Sequence, residues 1–264
     1  MAIITLTTDW GTKDHYLASV KGNLIKNIPD AKVIDITHEI PPFDINQTSI
    51  ILKNCYRDFP DGTIHLIGVN SEASIQTPHT VIKIDNQYFI GADNGIFSLV
   101  FDRIPDEIVE LEIHQDTDKF TFSTRDVFIK AACHIIEKGE ILSLGRRKSQ
   151  VVQMKSFEPV IQRDESDGSI IITGKVIYID RYENVMTNIG ERHFREYHKN
   201  RKFSISFNSF NEISTISESY NDVAPGEMLA LFGSNQLLEI AVNQGNASSL
   251  LGLYRDTRIR IIFK

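Results

Sequence analysis

The feature that most constrains this chain is a change of rhythm near residue 140. Up to that point, strand-like apolar runs at 3–7, 32–36, 63–69, 80–84 and 107–111 alternate with helical patterns at 16–27, 45–56, 94–101 and 126–137. Strand and helix in turn predict a mostly parallel sheet with helices on both faces. Residues 145–168 are then polar and broken, with Asp164-Glu165-Ser166-Asp167-Gly168 as a clear turn signal. Short β-like runs follow at 170–179, 203–207, 212–216, 228–232, 238–242 and 258–263, with little helical periodicity among them. The expectation is an α/β domain over residues 1–160 and a smaller all-β domain over 161–264, a sandwich or barrel of short antiparallel strands.

Open α/β sheets bind small ligands at the carboxyl ends of their strands. The first strand ends in Thr7-Thr8-Asp9-Trp10-Gly11-Thr12-Lys13-Asp14-His15-Tyr16, so two carboxylates and a glycine fall on that edge. A carboxylate there can accept two ribose hydroxyls or an ammonium. It suits no phosphate, because Gly11 stands alone and neither G-x-G-x-x-G nor G-x-x-x-x-G-K-[ST] follows. Asp9 can equally cap the first helix. Pro41-Pro42-Phe43-Asp44 leaves a second strand at the same kind of edge, where Phe43 either forms an apolar wall or simply packs. In the β half, Tyr182 can stack on a flat ring and Asn184 can read a purine edge, or the two belong to a plain hairpin turn. The amide-rich stretches Gly233-Ser234-Asn235-Gln236 and Asn243-Gln244-Gly245-Asn246 suit a polar ligand or ordinary turns.

A formal charge of −7 with no Lys/Arg cluster beyond Arg146-Arg147-Lys148 argues against a nucleic-acid surface. No apolar run is long enough to span a bilayer, and the chain enters a strand at once, without a signal-peptide pattern. Cys55 and Cys133 match no zinc spacing and predict buried free thiols in a reducing, cytoplasmic setting. Asp9, Asp14 and His15 lack the spacing of a metal site, and no metal is expected. Serine-hydrolase chemistry lacks its G-x-S-x-G.

Six segments in order resemble the S-adenosylmethionine hydrolase, or hydroxide adenosyltransferase, family and its fluorinating and chlorinating relatives. They are T-D-W-G-T-K-D (8–14), H-E-I-P-P-F-D (38–44), A-D-N-G-I-F-S (92–98), T-F-S-T-R-D-V-F (121–128), I-D-R-Y-E-N-V-M-T-N-I (179–189) and G-S-N-Q-L-L-E-I-A-V-N (233–243). The resemblance implies an α/β domain followed by a β domain, and a homotrimer with sites between subunits. It implies S-adenosylmethionine as substrate and no cofactor, with water displacing methionine from the ribose C5′ carbon to give adenosine. By position, Asp9 would hold the ribose hydroxyls and Asp14 the methionine ammonium. Phe43 and Phe122 would line the ribose and the reacting carbon. Tyr182 and Asn184 would take the adenine, and Ser234 and Asn235 the methionine carboxylate.

One part of the pattern is missing. The family's hydrolases carry an Asp, an Arg and a His that are thought to hold the attacking water, and here those positions are Asn70, Thr77 and Ser123. Thr124 stands where fluorinating relatives have a serine, while their long insertion before A-D-N-G and their arginine at Asn235 are absent. The resemblance therefore also leaves open a module that binds S-adenosylmethionine or adenosine without turnover, or an enzyme using another nucleophile. Glu72, beside the altered positions, is expected to face solvent.

Overall fold

A computed structural model describes residues 1–115, 119–155, 157–208 and 211–264. The chain divides into two compact units, residues 1–155 and 156–264. The first is built from β1 (Ile3–Thr8), α1 (Tyr16–Asn27), β2 (Lys32–Thr37), α2 (Ile45–Cys55), β3 (Ile64–Gly68), β4 (His79–Ile84), β5 (Gln87–Ala92), α3 (Ile96–Val100), β6 (Glu107–Leu111), α4 (Ile129–Lys138) and β7 (Gly145–Arg147). Its sheet has the order β2-β1-β3-β5-β4-β6-β7. The pairs β1–β2, β1–β3 and β3–β5 are parallel, and β4–β5, β4–β6 and β6–β7 antiparallel. Five strands thus point one way and only β4 and β7 run against them, so the sheet is largely parallel as expected.

Side-chain alternation along each strand feeds two cores. Leu66, Val81, Ile90 and Val109 pack with Val20 and Leu24 of α1 and with α4 on one face. Ile67, Ile82, Phe89 and Ile108 pack with Ile45 and Leu52 of α2 and with α3 on the other. The spacing predicts α1 at its observed bounds, and Pro29 stops it two residues later. In α2, Ile45, Thr48, Ser49 and Leu52 face inward at helical spacing, and Asp44 caps the start by accepting from Gln47 N at 3.0 Å.

Three expectations need correction. Strand β5 falls outside the strand-like runs read from the sequence, and the turn before it is Asp85-Asn86, both with positive φ. Gln87 opens the strand as a buried polar residue, which hides the apolar signal. The helix expected at 94–101 starts only at Ile96, after Gly95 turns left-handed. The helix expected from 126 starts earlier, as a π-helical turn over Thr124–Phe128 that runs into α4.

The second unit is almost entirely β: β8 (Val160–Arg163), β9 (Ile170–Ile179), β10 (Val185–Gly190), α5 (Glu191–His198), β11 (Phe203–Ser206), β12 (Glu212–Ile213), β13 (Met228–Phe232), β14 (Leu237–Val242), α6 (Ala247–Leu251) and β15 (Arg258–Phe263). Every pairing is antiparallel, in the order β12-β11-β15-β9-β10-β14-β13, with β8 added on β9. The long β9 gives its first half to β15 and its last to β10, and so closes the sheet around one core. Gly174 sits at that switch, where a Cβ would collide with Ile189 and Asn188. The helix α5 escaped the sequence because it buries only Phe194, too little for a visible period.

Candidate functional site

In the first unit the carboxyl ends of β1, β2 and β3 meet around Asp9. The Phe43 amide donates to Asp9 Oδ2 at 2.8 Å, and Gly11 N donates to the His38 carbonyl at 2.7 Å. Asp9 therefore does not cap α1, whose N-cap is His15 and carries no side-chain cap bond. The carboxylate instead ties the end of β1 to the Pro41-Pro42-Phe43 crossover. Phe43 has φ 67° and keeps its ring 71 % exposed, so the loop presents the aromatic rather than packing it. Asp14 is exposed on the same connection between β1 and α1.

Below Asp9, Thr8 is paired with Gly68 across β1 and β3. A Cβ on Gly68 would lie 2.6 Å from Trp10 Cζ2 and 3.1 Å from Thr124 Oγ1. Only glycine lets the indole and that hydroxyl close over the strand end. Trp10 meets Phe122 edge to face at 5.5 Å, and Phe122 meets Tyr16 the same way at 5.4 Å. The Phe122 carbonyl starts the π-helical turn by accepting from Arg125 N and Asp126 N. That turn brings Ser123 and Thr124, both buried, beneath the aromatic group. Thr124 Oγ1 is buried with no hydrogen-bond partner among the described residues.

The segment after β3 is a tight loop. Asn70 takes a positive φ of 45° and its carbonyl accepts from Asn94 Nδ2 at 3.1 Å. Thr77 shares a 2.8 Å hydrogen bond with the Ser74 hydroxyl, and Thr77 N donates to the same oxygen. His79 Nε2 donates to the Ser71 carbonyl at 3.0 Å, and burial lowers its pKa, so the ring is neutral. Glu72 is exposed.

In the second unit the turn between β9 and β10 is built around Asp180. Its Oδ1 accepts from Tyr182 N at 2.9 Å and Asn184 N at 2.8 Å, and Oδ2 receives Asn184 Nδ2 at 3.3 Å. The turn leaves Tyr182 76 % exposed and Asn184 buried. Glu183, with φ 64°, fastens it to α6 by accepting from Ser249 N at 2.9 Å. In the β13–β14 turn Ser234 is exposed, while Asn235 Oδ1 accepts from Leu237 N at 3.0 Å. The Asn235 amide nitrogen donates to Met186 Sδ at 3.6 Å, so this side chain braces its own turn.

Each unit thus gathers its own share of the sequence-derived residues: Asp9, Asp14, Phe43, Phe122, Ser123 and Thr124 in the first, Tyr182, Asn184, Ser234 and Asn235 in the second. Asn70 and Thr77 frame a loop beside the first set. Sequence reasoning missed His38, Trp10 and Asp180, whose signal was position alone, each being polar or aromatic at a strand end. Both cysteines are free, and burial pushes the Cys55 thiol up to about 11. Among the described residues, no three His, Cys, Asp or Glu side chains converge to hold a metal ion. No helix is long and apolar enough to cross a membrane.

A largely parallel α/β unit with a carboxylate at its strand edge, followed by an antiparallel β unit with an aromatic and amide turn, defines the class of two-unit α/β-plus-β proteins. The family described as SAM hydroxide adenosyltransferase matches through its N-terminal domain at residues 4–145 and its C-terminal domain at residues 174–260. The chain belongs to that enzyme family. It is 29 % identical to the (R)-S-adenosyl-L-methionine hydrolase of Methanocaldococcus jannaschii over 99 % of this chain and 96 % of that one. It is 22 % identical to the fluorinase of Nocardia brasiliensis over 71 % of each. The crystal structure of an uncharacterized conserved protein from Thermotoga maritima superposes with a TM-score of 0.84 at 30 % identity, covering 99 % of both chains.

Proposed function

We propose that the protein binds S-adenosylmethionine and hydrolyses it to adenosine and L-methionine. The observation that carries this is the Asp9 carboxylate, oriented by the Phe43 amide at the strand edge beside an exposed aromatic. In this reading Asp9 takes the ribose hydroxyls, Asp14 the ammonium, and Phe43 and Phe122 flank the ribose and C5′. Tyr182 stacks on the adenine and Asn184 reads its edge. Ser234 receives the methionine carboxylate, and Asn235 shapes the turn that offers it. The family resemblance adds a homotrimer with sites between subunits to this reading.

The sulfonium is already a good leaving group, so the step needs no cofactor and no general acid. It needs a water placed in line behind C5′ and stripped of its neighbours. The unpartnered Thr124 hydroxyl, with Ser123 beside it, is the donor suited to hold that water. Asn70 and Thr77 replace charged groups with neutral ones, so water rather than a preformed hydroxide enters.

A second reading, binding without turnover, is favoured by one observation: the Thr77 hydroxyl is already taken by Ser74. One assay separates them. Purified protein is incubated with S-adenosylmethionine in chloride-free, cytoplasm-like reducing buffer, and products are separated by liquid chromatography and mass. Adenosine and methionine above the no-protein rate, lost in Asp9→Ala, support the hydrolase. Intact substrate with calorimetric binding supports the module.

A further inference from the structure

Attack by neutral water releases a proton, and the charged groups that handle water in the family's hydrolases are replaced in this chain. A different set of buried groups begins one residue before Asp9. Thr8 Oγ1 lies 2.8 Å from His38 Nδ1, and both side chains are buried. On the far side of the ring, Asp35 Oδ1 lies 3.2 Å from His38 Nε2. No described group meets that nitrogen in hydrogen-bond geometry, so the carboxylate acts on it by charge. Lys21 Nζ, on α1, holds the other Asp35 oxygen at 2.5 Å. Burial opposes the Asp35 charge, but Lys21 and His38 outweigh it and hold its pKa below the ordinary carboxylate value.

We infer that Thr8, His38 and Asp35 form a proton relay for the attacking water, with His38 as the acceptor; this rests on the hydrolase reading above. With the Nε2 proton facing Asp35, Nδ1 is left to accept the Thr8 hydroxyl hydrogen. Thr8 is paired with Gly68, and Thr124 Oγ1 lies 3.1 Å from where a Cβ on Gly68 would stand. Two buried hydroxyls therefore flank one strand end, the Thr124 group to hold the water and the Thr8 group to drain it.

The step balances. The water oxygen bonds to C5′ as the C5′–S bond breaks, and that electron pair stays on sulfur. One water hydrogen remains as the adenosine 5′-hydroxyl. The other passes to Thr8 Oγ1 as the Thr8 hydrogen moves to His38 Nδ1. The imidazolium is held by Asp35 and later returns its proton to solvent.

The geometry is particular to this group. A second hydroxyl–imidazole–carboxylate trio, Ser143, His134 and Glu140, brings Ser143 Oγ at 2.8 Å and Glu140 Oε1 at 3.2 Å to the same ring nitrogen, and so has no through-ring path. The charged groups facing His38 are Asp35 from β2 and, behind it, Lys21 from α1. Asp9 follows Thr8 directly in the chain.

The test is adenosine formation across pH 5.5–9 in the unaltered protein, Thr8→Val, Thr8→Ser, His38→Gln and Asp35→Asn. Adenosine affinity and thermal unfolding are read on the same samples. General-base transfer contributes roughly 100- to 10,000-fold. The relay predicts a kcat loss of about 100-fold or more in Thr8→Val and His38→Gln, with KM within about 2-fold and the acid limb of the pH profile removed. Thr8→Ser keeps both rate and limb. Asp35→Asn, at a half-exposed position that leaves the core intact, shifts the limb even if His38→Gln fails to fold. Variants that fold and bind adenosine but keep the original kcat and limb overturn the relay alone. An unaltered protein that binds adenosine yet forms none from S-adenosylmethionine overturns the hydrolase reading and the relay with it.

Discussion

The Phe43 amide and the Asp9 carboxylate, 34 residues apart in sequence, share a 2.8 Å hydrogen bond that joins the end of β1 to the connection between β2 and α2. The bond takes one carboxylate oxygen and fixes the plane of the other. Replacing Asp9 by Ala removes both the tether and the charge. A hydrogen bond to a charged group is worth about 1.5–3 kcal/mol, or roughly 10- to 150-fold in affinity. Adenosine affinity measured by calorimetry should fall by at least that much in Asp9→Ala. Asp9→Asn, which keeps an acceptor for Phe43 N, should fall in between. Unchanged affinity in the alanine variant would remove Asp9 from the site.

Gly68 is the second test. An added Cβ meets the Trp10 ring at 2.6 Å, and overpacking of this kind costs about 1–3 kcal/mol. Gly68→Ala should lower thermal stability and displace the indole. Trp10 is the chain's single tryptophan, so its emission reports the displacement directly. Gly22→Ala is the control, because it lies within α1 and a Cβ there meets nothing within 4 Å. That change should leave both the emission and the midpoint where they are, or raise the midpoint slightly.

His65 sets an acid limit on the first unit. It stacks on Phe89 at 4.4 Å, accepts from Thr5 Oγ1 at 2.8 Å and donates to Gln87 Oε1 at 2.6 Å. The direction is settled by Gln87, whose amide nitrogen is spent on the Tyr56 and Phe59 carbonyls. Burial brings the His65 pKa down to about 4, against a small opposing effect of Gln87. The unfolded chain takes up this proton near 6.5 and the folded protein only near 4, so the unfolded state holds more protons in between. Stability is therefore full above pH 6.5 and declines on acidification to pH 4, by on the order of 3 kcal/mol. His79, also lowered by burial, adds in the same direction. Urea midpoints should already fall between pH 6.5 and 5, where ordinary carboxylates are still ionised. A flat profile in that interval would contradict a neutral buried His65.

Much of this architecture can be read from periodicity. The helix at 16–27 and the strand at 107–111 occupy their predicted bounds because the apolar spacing is clean and the turn residues flank it. Strand β5 could not be read this way, since its first residue, Gln87, is buried for the sake of His65, a partner 22 positions earlier. Of the candidate site, only the positions along the chain were legible, not the orientations. Asp9 and Phe43 each carried two meanings in sequence, cap or ligand and wall or packing. The choice lay in one long-range hydrogen bond and in a positive φ, neither of which leaves a local pattern. Asn235 shows the converse, since an amide suited to a ligand is engaged by its own turn.

The uncharged side chains at Asn70, Thr77 and Ser123 yield a gain-of-function prediction. Asn70→Asp, Thr77→Arg and Ser123→His together install the charged set that the family resemblance assigns to its hydrolases. Thr77 loses its hydroxyl bond to Ser74, but its backbone bonds to Ser74 remain and hold the loop. Adenosine formation from S-adenosylmethionine should rise by about 10-fold or more, within the range positioned acid–base groups supply. A rate that does not rise would show that these three positions do not limit attack.

The last prediction concerns a buried acid in the second unit. Glu239 faces away from the main β core, on the side of β14 that carries Ala241, and is only 3 % exposed. Among the described residues its one donor is the Tyr220 hydroxyl, at 2.7 Å from Oε1. Burial is the main influence on its pKa and, with the Asp180 charge, raises it; the Tyr220 bond works the other way. A raised carboxyl pKa means that the folded protein holds more protons than the unfolded chain above about pH 4.5, so this group subtracts stability as pH rises through its folded value. Tyr220→Phe removes the one bond that favours the ionised form. The loss, about 1–3 kcal/mol for a buried acceptor left alone, should be larger at pH 8 than at pH 5. Glu239→Gln keeps an acceptor for Tyr220 and carries no charge, so it removes this pH dependence, and any deficit against the unaltered protein should be smaller at pH 8 than at pH 5. Urea midpoints of the three proteins at the two pH values decide the matter. A Tyr220→Phe deficit equal at both would mean that Glu239 keeps the same charge at the two pH values.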